Sequence, residues 1–177
     1  MGYRYEIYTD GSCKKNGTEG AVGGWAFIIR QYDDDGECVR EWSKSNWGSD
    51  TTNNRMELTA VLRALDWCEN VRDFYGYEDD SVYVYSDSAY IINCYTQGWY
   101  RKWEKNGWIN SKKKPVENRD LWESLIPWFK LKNYHFKKIK GHAGEEFNEL
   151  VDSMAQSAAA NMTRSVVCTG EEELSWS

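Results

Sequence analysis

Four carboxylates stand in settings where their chemistry could be shared: Asp10, Glu57, Asp87 and Asp152. Two of the settings echo each other. Tyr8-Thr9-Asp10-Gly11 and Tyr85-Ser86-Asp87-Ser88 both end an apolar run with an acid and then a small residue. In open sheets, sites form beyond the carboxyl ends of strands, although aspartate is also an ordinary opener of loops. At about 100° per residue, Glu57 lies roughly 200° round a helix from both Arg55 and Thr59, beside the apolar stripe. A glutamate there without a cation is costly, whereas one near a helix start is favoured by the dipole. Asp152 falls one turn before Ala155, where small neighbours would leave room for an ion. Carboxylates that converge raise one another's pKa unless a cation neutralises them. Their oxygens suit a hard divalent ion, Mg2+ or Mn2+.

The elements that must position these acids follow from periodicity. Tyr3–Thr9, Gly23–Arg30 and Cys38–Trp47 read as three strands, each of the first two ending near a glycine or charged residue. Asp33-Asp34-Asp35-Gly36 reads as a hairpin turn. Asn53–Asn70 is an amphipathic helix with Leu58, Val61, Leu62, Leu65 and Cys68 on its apolar side. Ser81–Ser86 is a strand, followed by helices over Ser88–Thr96, Trp99–Asn106 and Asn118–Leu131, the last interrupted by Pro127. Tyr134–Lys140 is a last strand. Lys140-Gly141-His142-Ala143-Gly144 reads as a glycine-hinged loop, and Asn148–Met162 as a final helix. Strands followed by βα units imply an α/β fold with a mixed sheet and flanking helices.

The 177 residues suit one domain, taken as residues 1–162, with a polar, acidic tail over 163–177. Five scattered cysteines without a Cys-x-x-Cys pair read as reduced thiols. No apolar run is long enough to span a membrane, and no charged-then-apolar segment opens the chain, so a cytoplasmic location is expected. A net charge of −6 argues at first against a nucleic-acid partner. The distribution says otherwise. Between Trp99 and Pro115 six basic residues (Arg101, Lys102, Lys105, Lys112, Lys113, Lys114) meet one acid, Glu104, and interleave with Trp99, Trp103 and Trp108. Cations meet phosphates, and flat rings lie against sugars or bases. At least one of these tryptophans is expected in the core. Asn53 and Asn54 can offer amides to sugars or bases, and Thr52 with nearby backbone amides can hold a phosphate. His142, in the glycine-hinged loop, suits a mobile accessory to catalysis, while His135 falls inside a strand pattern.

The chain resembles ribonuclease H of type 1. The resemblance is carried by Tyr8-Thr9-Asp10-Gly11-Ser12-Cys13 with Asn16, Thr51-Thr52-Asn53-Asn54-Arg55-Met56-Glu57, and Ser86-Asp87-Ser88. It continues through Trp103-Glu104-Lys105-Asn106-Gly107-Trp108 to Lys114-Pro115-Val116, Asp120-Leu121-Trp122, and Lys140-Gly141-His142-Ala143-Gly144 with Asn148 and Asp152. These run in the family's order over roughly residues 3 to 160. The resemblance implies a ribonuclease H-like fold, a five-stranded mixed sheet with flanking helices. It implies a metal-dependent endonuclease that hydrolyses the RNA strand of RNA–DNA hybrids and leaves 5′-phosphate and 3′-hydroxyl ends. Asp10, Glu57, Asp87 and Asp152 would hold two Mg2+ ions, with Mn2+ as a substitute, and Glu57 would approach the ribose 2′-hydroxyl. His142 would assist product departure or a proton transfer. Asn16, Asn53 and Asn54 would contact sugars and bases, and Thr52 and Asn118 a phosphate of the DNA strand. Tyr90 and Trp99 would lie against DNA sugars, and the limb with Lys112, Lys113 and Lys114 would be the substrate-binding handle. Asp50 and Ala89 stand where some members carry groups that contact nucleic acid. A monomer without an obligate protein partner is expected. The alternative is a non-catalytic module that binds hybrid or duplex RNA; the full set of carboxylates with His142 argues against it.

Overall fold

A computed structural model describes the backbone of residues 2–14, 16, 18–76, 80–139 and 142–168, and the side chains of all these except 142, 143 and 162–168. Its strands are β1 (Arg4–Lys14), β2 (Val22–Tyr32), β3 (Cys38–Ser49), β4 (Ser81–Ser86) and β5 (Tyr134–Lys138). Its helices are α1 (Asn53–Tyr75), α2 (Ala89–Gln97), α3 (Trp99–Asn106), α4 (Arg119–Phe129) and α5 (His142–Cys168). The sheet runs β3-β2-β1-β4-β5. The β1–β2 and β2–β3 pairs are antiparallel, and β1–β4 and β4–β5 are parallel. This is the mixed, five-stranded sheet expected. The hairpin between β2 and β3 is closed by Asp33, whose Oδ1 accepts from the Asp35 and Glu37 amides at 3.0 Å.

Alternation in the central strands sorts side chains to two faces. Tyr5, Ile7, Val82, Val84, Tyr134 and Phe136 meet Leu58, Val61 and Leu65 of α1 and Trp122, Leu125 and Phe129 of α4 in one core. Tyr8, Ala26 and Ile28 point to the other face, where Val151 and Ala155 of α5 cover them. Each fully buried leucine or isoleucine contributes about 1.5–3 kcal/mol relative to exposure. Trp103 is part of the first core, as expected for one tryptophan of the limb.

Several boundaries differ from the reading of the sequence. Helix α1 runs on to Tyr75, because Arg72 in its last turn finds buried partners. The Arg72 guanidinium donates to Asp80 Oδ2 (3.0 Å), Glu69 Oε2 (3.0 Å) and the Tyr134 hydroxyl (2.7 Å). The Tyr3 amide donates to the same Asp80 carboxylate at 3.2 Å, so the starts of β1, β4 and β5 are tied to the end of α1. Pro127 lies inside α4 without ending it. It sits in the last turn, where only one backbone bond is forgone, and the Lys130 amide caps the end on the Pro127 and Trp128 carbonyls. Helix α5 passes Met162 and continues to Cys168, through the first residues of the expected tail; residues 169–177 lie outside the described residues. Cys13, Cys38, Cys68 and Cys94 are free thiols. Among the described residues no helix is long and apolar enough to cross a membrane.

Candidate active site

Asp10 does not end its strand, contrary to the expectation above. Strand β1 continues to Lys14 because β2 partners it along its whole length, from Arg4–Tyr32 to Lys14–Val22. What ends is the parallel ladder to β4, whose last pair is Tyr8–Tyr85. Asp10 and Asp87 therefore flank the point where the two central strands part. Helix α1 begins beside this opening. Thr52 is its N-cap, and its hydroxyl accepts from the Arg55 amide at 3.2 Å.

Gly11 lets the two elements meet. A Cβ there would lie 2.2 Å from the Met56 carbonyl carbon and 2.3 Å from the Glu57 nitrogen. Only a residue without a side chain permits that approach. The Gly11 backbone lies beside the Glu57 carboxylate and favours its charged form. As a result, one carboxylate oxygen from each of Asp10, Glu57 and Asp87 lies within 4.8 Å of the others.

Asp152 comes from the opposite face of the sheet. It lies near enough to Asp10 to push that carboxyl up, and its Oδ1 accepts from Gln156 Nε2 at 3.0 Å. Its small neighbours also serve the packing of α5 on the sheet. A Cβ on Gly24 would lie 1.9 Å from the Ala155 carbonyl oxygen and 2.9 Å from the Ala159 nitrogen. Ala155 and Ala159 let α5 lie directly on β2, and that close approach sets the height of Asp152.

The electrostatics follow from this crowding. Burial drives the Asp10 carboxyl up to about 7, and the charges of Asp87 and Asp152 push the same way against a hydrogen bond from Glu57. Burial, then the neighbouring Asp10, pushes Glu57 well above the usual carboxylate range. Without a cation such a cluster must retain protons. Glu57 Oε2 is buried and has no hydrogen-bond partner among the described residues. A partnerless buried carboxylate oxygen, facing a set of oxygen ligands, fits a hard divalent cation.

The residues expected to meet nucleic acid form two hydrogen-bonded chains beside the acids. Asn16 Oδ1 accepts from the Asn53 amide (3.1 Å), and Asn53 Oδ1 accepts from the Cys13 amide (2.6 Å). Asn54 is exposed next to them. In the second chain, Asn118 Oδ1 accepts from Arg55 Nη1 (3.3 Å) and Asn118 Nδ2 donates to the Tyr90 hydroxyl (3.3 Å). That hydroxyl also accepts from Trp122 Nε1 at 2.9 Å. Arg55, for which the sequence reading gives no partner, grips both oxygens of Asp120 at 3.0 and 2.8 Å. This pair joins Thr52 to Asn118 and holds the Asp120 carboxyl below its usual range. Trp99 is half-buried at the start of α3, and Lys112, Lys113 and Lys114 are exposed on the turn beyond it.

The loop expected around His142 is helical from His142 onward; α5 begins there, with Glu145 in its first turn. Lys140, Gly141 and the His142 side chain lie outside the described residues.

A sheet of this order with acids gathered where β1 and β4 part defines a known class. The family model described as RNase H matches residues 3–160. The ribonuclease H of Syntrophomonas wolfei is 42% identical over 156 residues, covering 88% of this chain and 96% of that protein. LC9-RNase H1, a type 1 RNase H with the type 2 active-site motif, superposes with a TM-score of 0.67 at 27% identity, covering 91% of this chain and 74% of that one. LC11-RNase H1, solved in complex with an RNA/DNA hybrid, gives a TM-score of 0.59 at 26% identity, covering 90% of this chain and 99% of that one. The chain belongs to the ribonuclease H family, a family of enzymes.

Proposed function

We propose that this protein hydrolyses the RNA strand of RNA–DNA hybrids, with Asp10, Glu57, Asp87 and Asp152 as the ligands of two Mg2+ ions. The observation that carries the reading is the meeting of one carboxylate oxygen each from Asp10, Glu57 and Asp87 within 4.8 Å, in a cluster where Glu57 Oε2 is buried without a partner. A relative solved with an RNA/DNA hybrid supports the substrate. Bound there, the cations supply a nucleophilic water and neutralise charge on the leaving oxygen. The chain's own part is to gather four carboxylates where the cations would bind, and to fix the scissile phosphate over them.

Hydrolysis in this sense breaks the bond between phosphorus and the 3′ oxygen. Water adds its hydroxyl to phosphorus, and its proton ends on the 3′ oxygen, leaving 5′-phosphate and 3′-hydroxyl ends. Glu57 borders the ribose 2′-hydroxyl, the group that distinguishes RNA from DNA. His142, at the first residue of α5, assists product departure or a proton transfer. The Asn16–Asn53 chain and Asn54 face sugars and bases. Thr52, Asn118 and Tyr90 face the DNA strand with Trp99, and Lys112, Lys113 and Lys114 take its phosphates. The free thiols among the described residues accord with a reducing, cytoplasmic setting.

The test is a labelled hybrid incubated with the protein in Mg2+ and in EDTA, beside single-stranded RNA and duplex DNA. The reading expects cutting of the RNA strand of the hybrid alone, and only with metal. Hybrid bound tightly but left whole in Mg2+ would make the protein a binding module instead.

A further inference from the structure

The basic limb is a shaped object, and one uncharged residue shapes it. Asn110 makes four hydrogen bonds to the three lysines that follow. Its amide donates to the Lys114 carbonyl (2.8 Å), and its carbonyl accepts from the Lys113 amide (3.0 Å). Its side-chain Oδ1 accepts from both the Lys112 amide (2.9 Å) and the Lys114 amide (3.0 Å). One turn earlier, Asn106 pins Ile109, donating to its carbonyl (2.9 Å) and accepting from its amide (3.0 Å). An antiparallel bridge between Ile109 and Pro115 closes the base of the turn.

Lys113 is held with φ at 60°. That left-handed conformation costs an L-residue roughly 1–2 kcal/mol and is unusual for a long side chain. It persists because the Asn110 bonds require it. The three ammonium groups are exposed, and among the described residues none has an ion-pair partner. Like charges on a free loop would spread apart. Here the same two asparagines also wall a cleft of about 500 Å³ against Trp99, Lys102 and Trp103. The cationic turn and the tryptophan platform thus border one cleft.

We infer that Asn110, backed by Asn106, is a positioning residue for the nucleic acid: it presents Lys112, Lys113 and Lys114 as one preformed block of cations to the phosphates of the bound duplex. The inference rests on the hybrid-binding function proposed above. Its physical content is preorganisation. The ordering cost of a lysine-rich loop is met in the folded protein and not at the moment of binding.

The test separates order from charge. In Asn110→Ala, hydrogen exchange of the Lys112 and Lys114 amides in the free protein should speed up at least tenfold. Asn110→Asp, which keeps the accepting oxygen, should restore their protection. Hybrid dissociation constants should rise roughly fivefold to tenfold in Asn110→Ala, while the slope of log affinity against log salt stays as in the parent, because all three cations still reach phosphates. Unchanged exchange, unchanged affinity or a flattened salt slope would each overturn the inference. Circular dichroism and a melting temperature within a few degrees of the parent confirm that the exposed turn alone has changed. If the parent protein binds no hybrid, the functional proposal fails, and the exchange experiment then reports that the turn is ordered for some other purpose.

Discussion

Replacing Asp10 by asparagine should stabilise the metal-free protein while disabling it. Asp10 is 5% exposed among three other acids, and its carboxyl is pushed up to about 7 from 3.8. The folded state therefore holds this proton more tightly than the unfolded chain does. Folding takes up a proton between those values, so the stability of the metal-free parent falls as pH rises from about 4 to about 7 and stays low above. A shift of about three units corresponds to roughly 4 kcal/mol at about 1.4 kcal/mol per unit. The replacement amide must itself be satisfied in a buried place, which costs about 1–2 kcal/mol. The expected net gain is about 2 kcal/mol, or roughly 4–8 °C in melting temperature for a domain of this size. Calorimetry in EDTA at pH 8 and at pH 4 measures it. The gain should be present at pH 8 and absent at pH 4, and adding Mg2+ should raise the parent's melting temperature and not the variant's. A variant no more stable than the parent at pH 8, or equally favoured at both pH values, would refute the view that crowded charge dominates this site.

Three further outcomes follow from the same geometry. Gly24→Ala places a Cβ 1.9 Å from the Ala155 carbonyl oxygen; urea denaturation should show a loss of about 2–3 kcal/mol, in the range of overpacked cores, and hybrid cleavage should fall as Asp152 is lifted away. Arg72→Met leaves the Asp80 carboxylate, whose side chain is 1% exposed, without its cation; the urea midpoint should drop by the equivalent of about 3–5 kcal/mol. Replacing Lys112, Lys113 and Lys114 together with alanine should weaken hybrid binding and reduce the salt slope by up to about three, near 0.9 for each phosphate that is no longer neutralised. Unlike in Asn110→Ala, affinity and slope should fall together.

Much of this fold is legible in the order of residues. Periodicity finds all five strands and places α2, α3 and β4 within a residue or two, because strict alternation and a turn of Leu, Val and Cys leave few readings. What escapes depends on partners distant in sequence. The extension of β1 through Gly11-Ser12-Cys13-Lys14 has no alternation of its own and exists because β2 supplies its bonds. The glycines around His142 read as hinges, yet α5 begins at His142, with Glu145 in its first turn. Arg72 lies beyond the helix read over Asn53–Asn70, and its place is set by Asp80 and by Tyr134, the latter far from it in sequence. The small residues after Asp152 also let α5 approach Gly24 on another strand, a contact that nothing near them in sequence shows. An isolated glycine inside a strand pattern, such as Gly11 or Gly24, is the signal that could have found both close approaches. The acids themselves are legible as candidates; their meeting is a property of the sheet.

The most direct measurement of the central claim uses Asp10→Asn on an RNA–DNA hybrid in Mg2+, with cleavage and binding followed on the same preparation. The account predicts at least a hundredfold loss of RNA-strand cleavage with hybrid affinity within about threefold of the parent, since removing one electrostatic contributor typically costs about 10²–10³. Cleavage surviving at near the parent rate would show that the four carboxylates are not the catalytic centre.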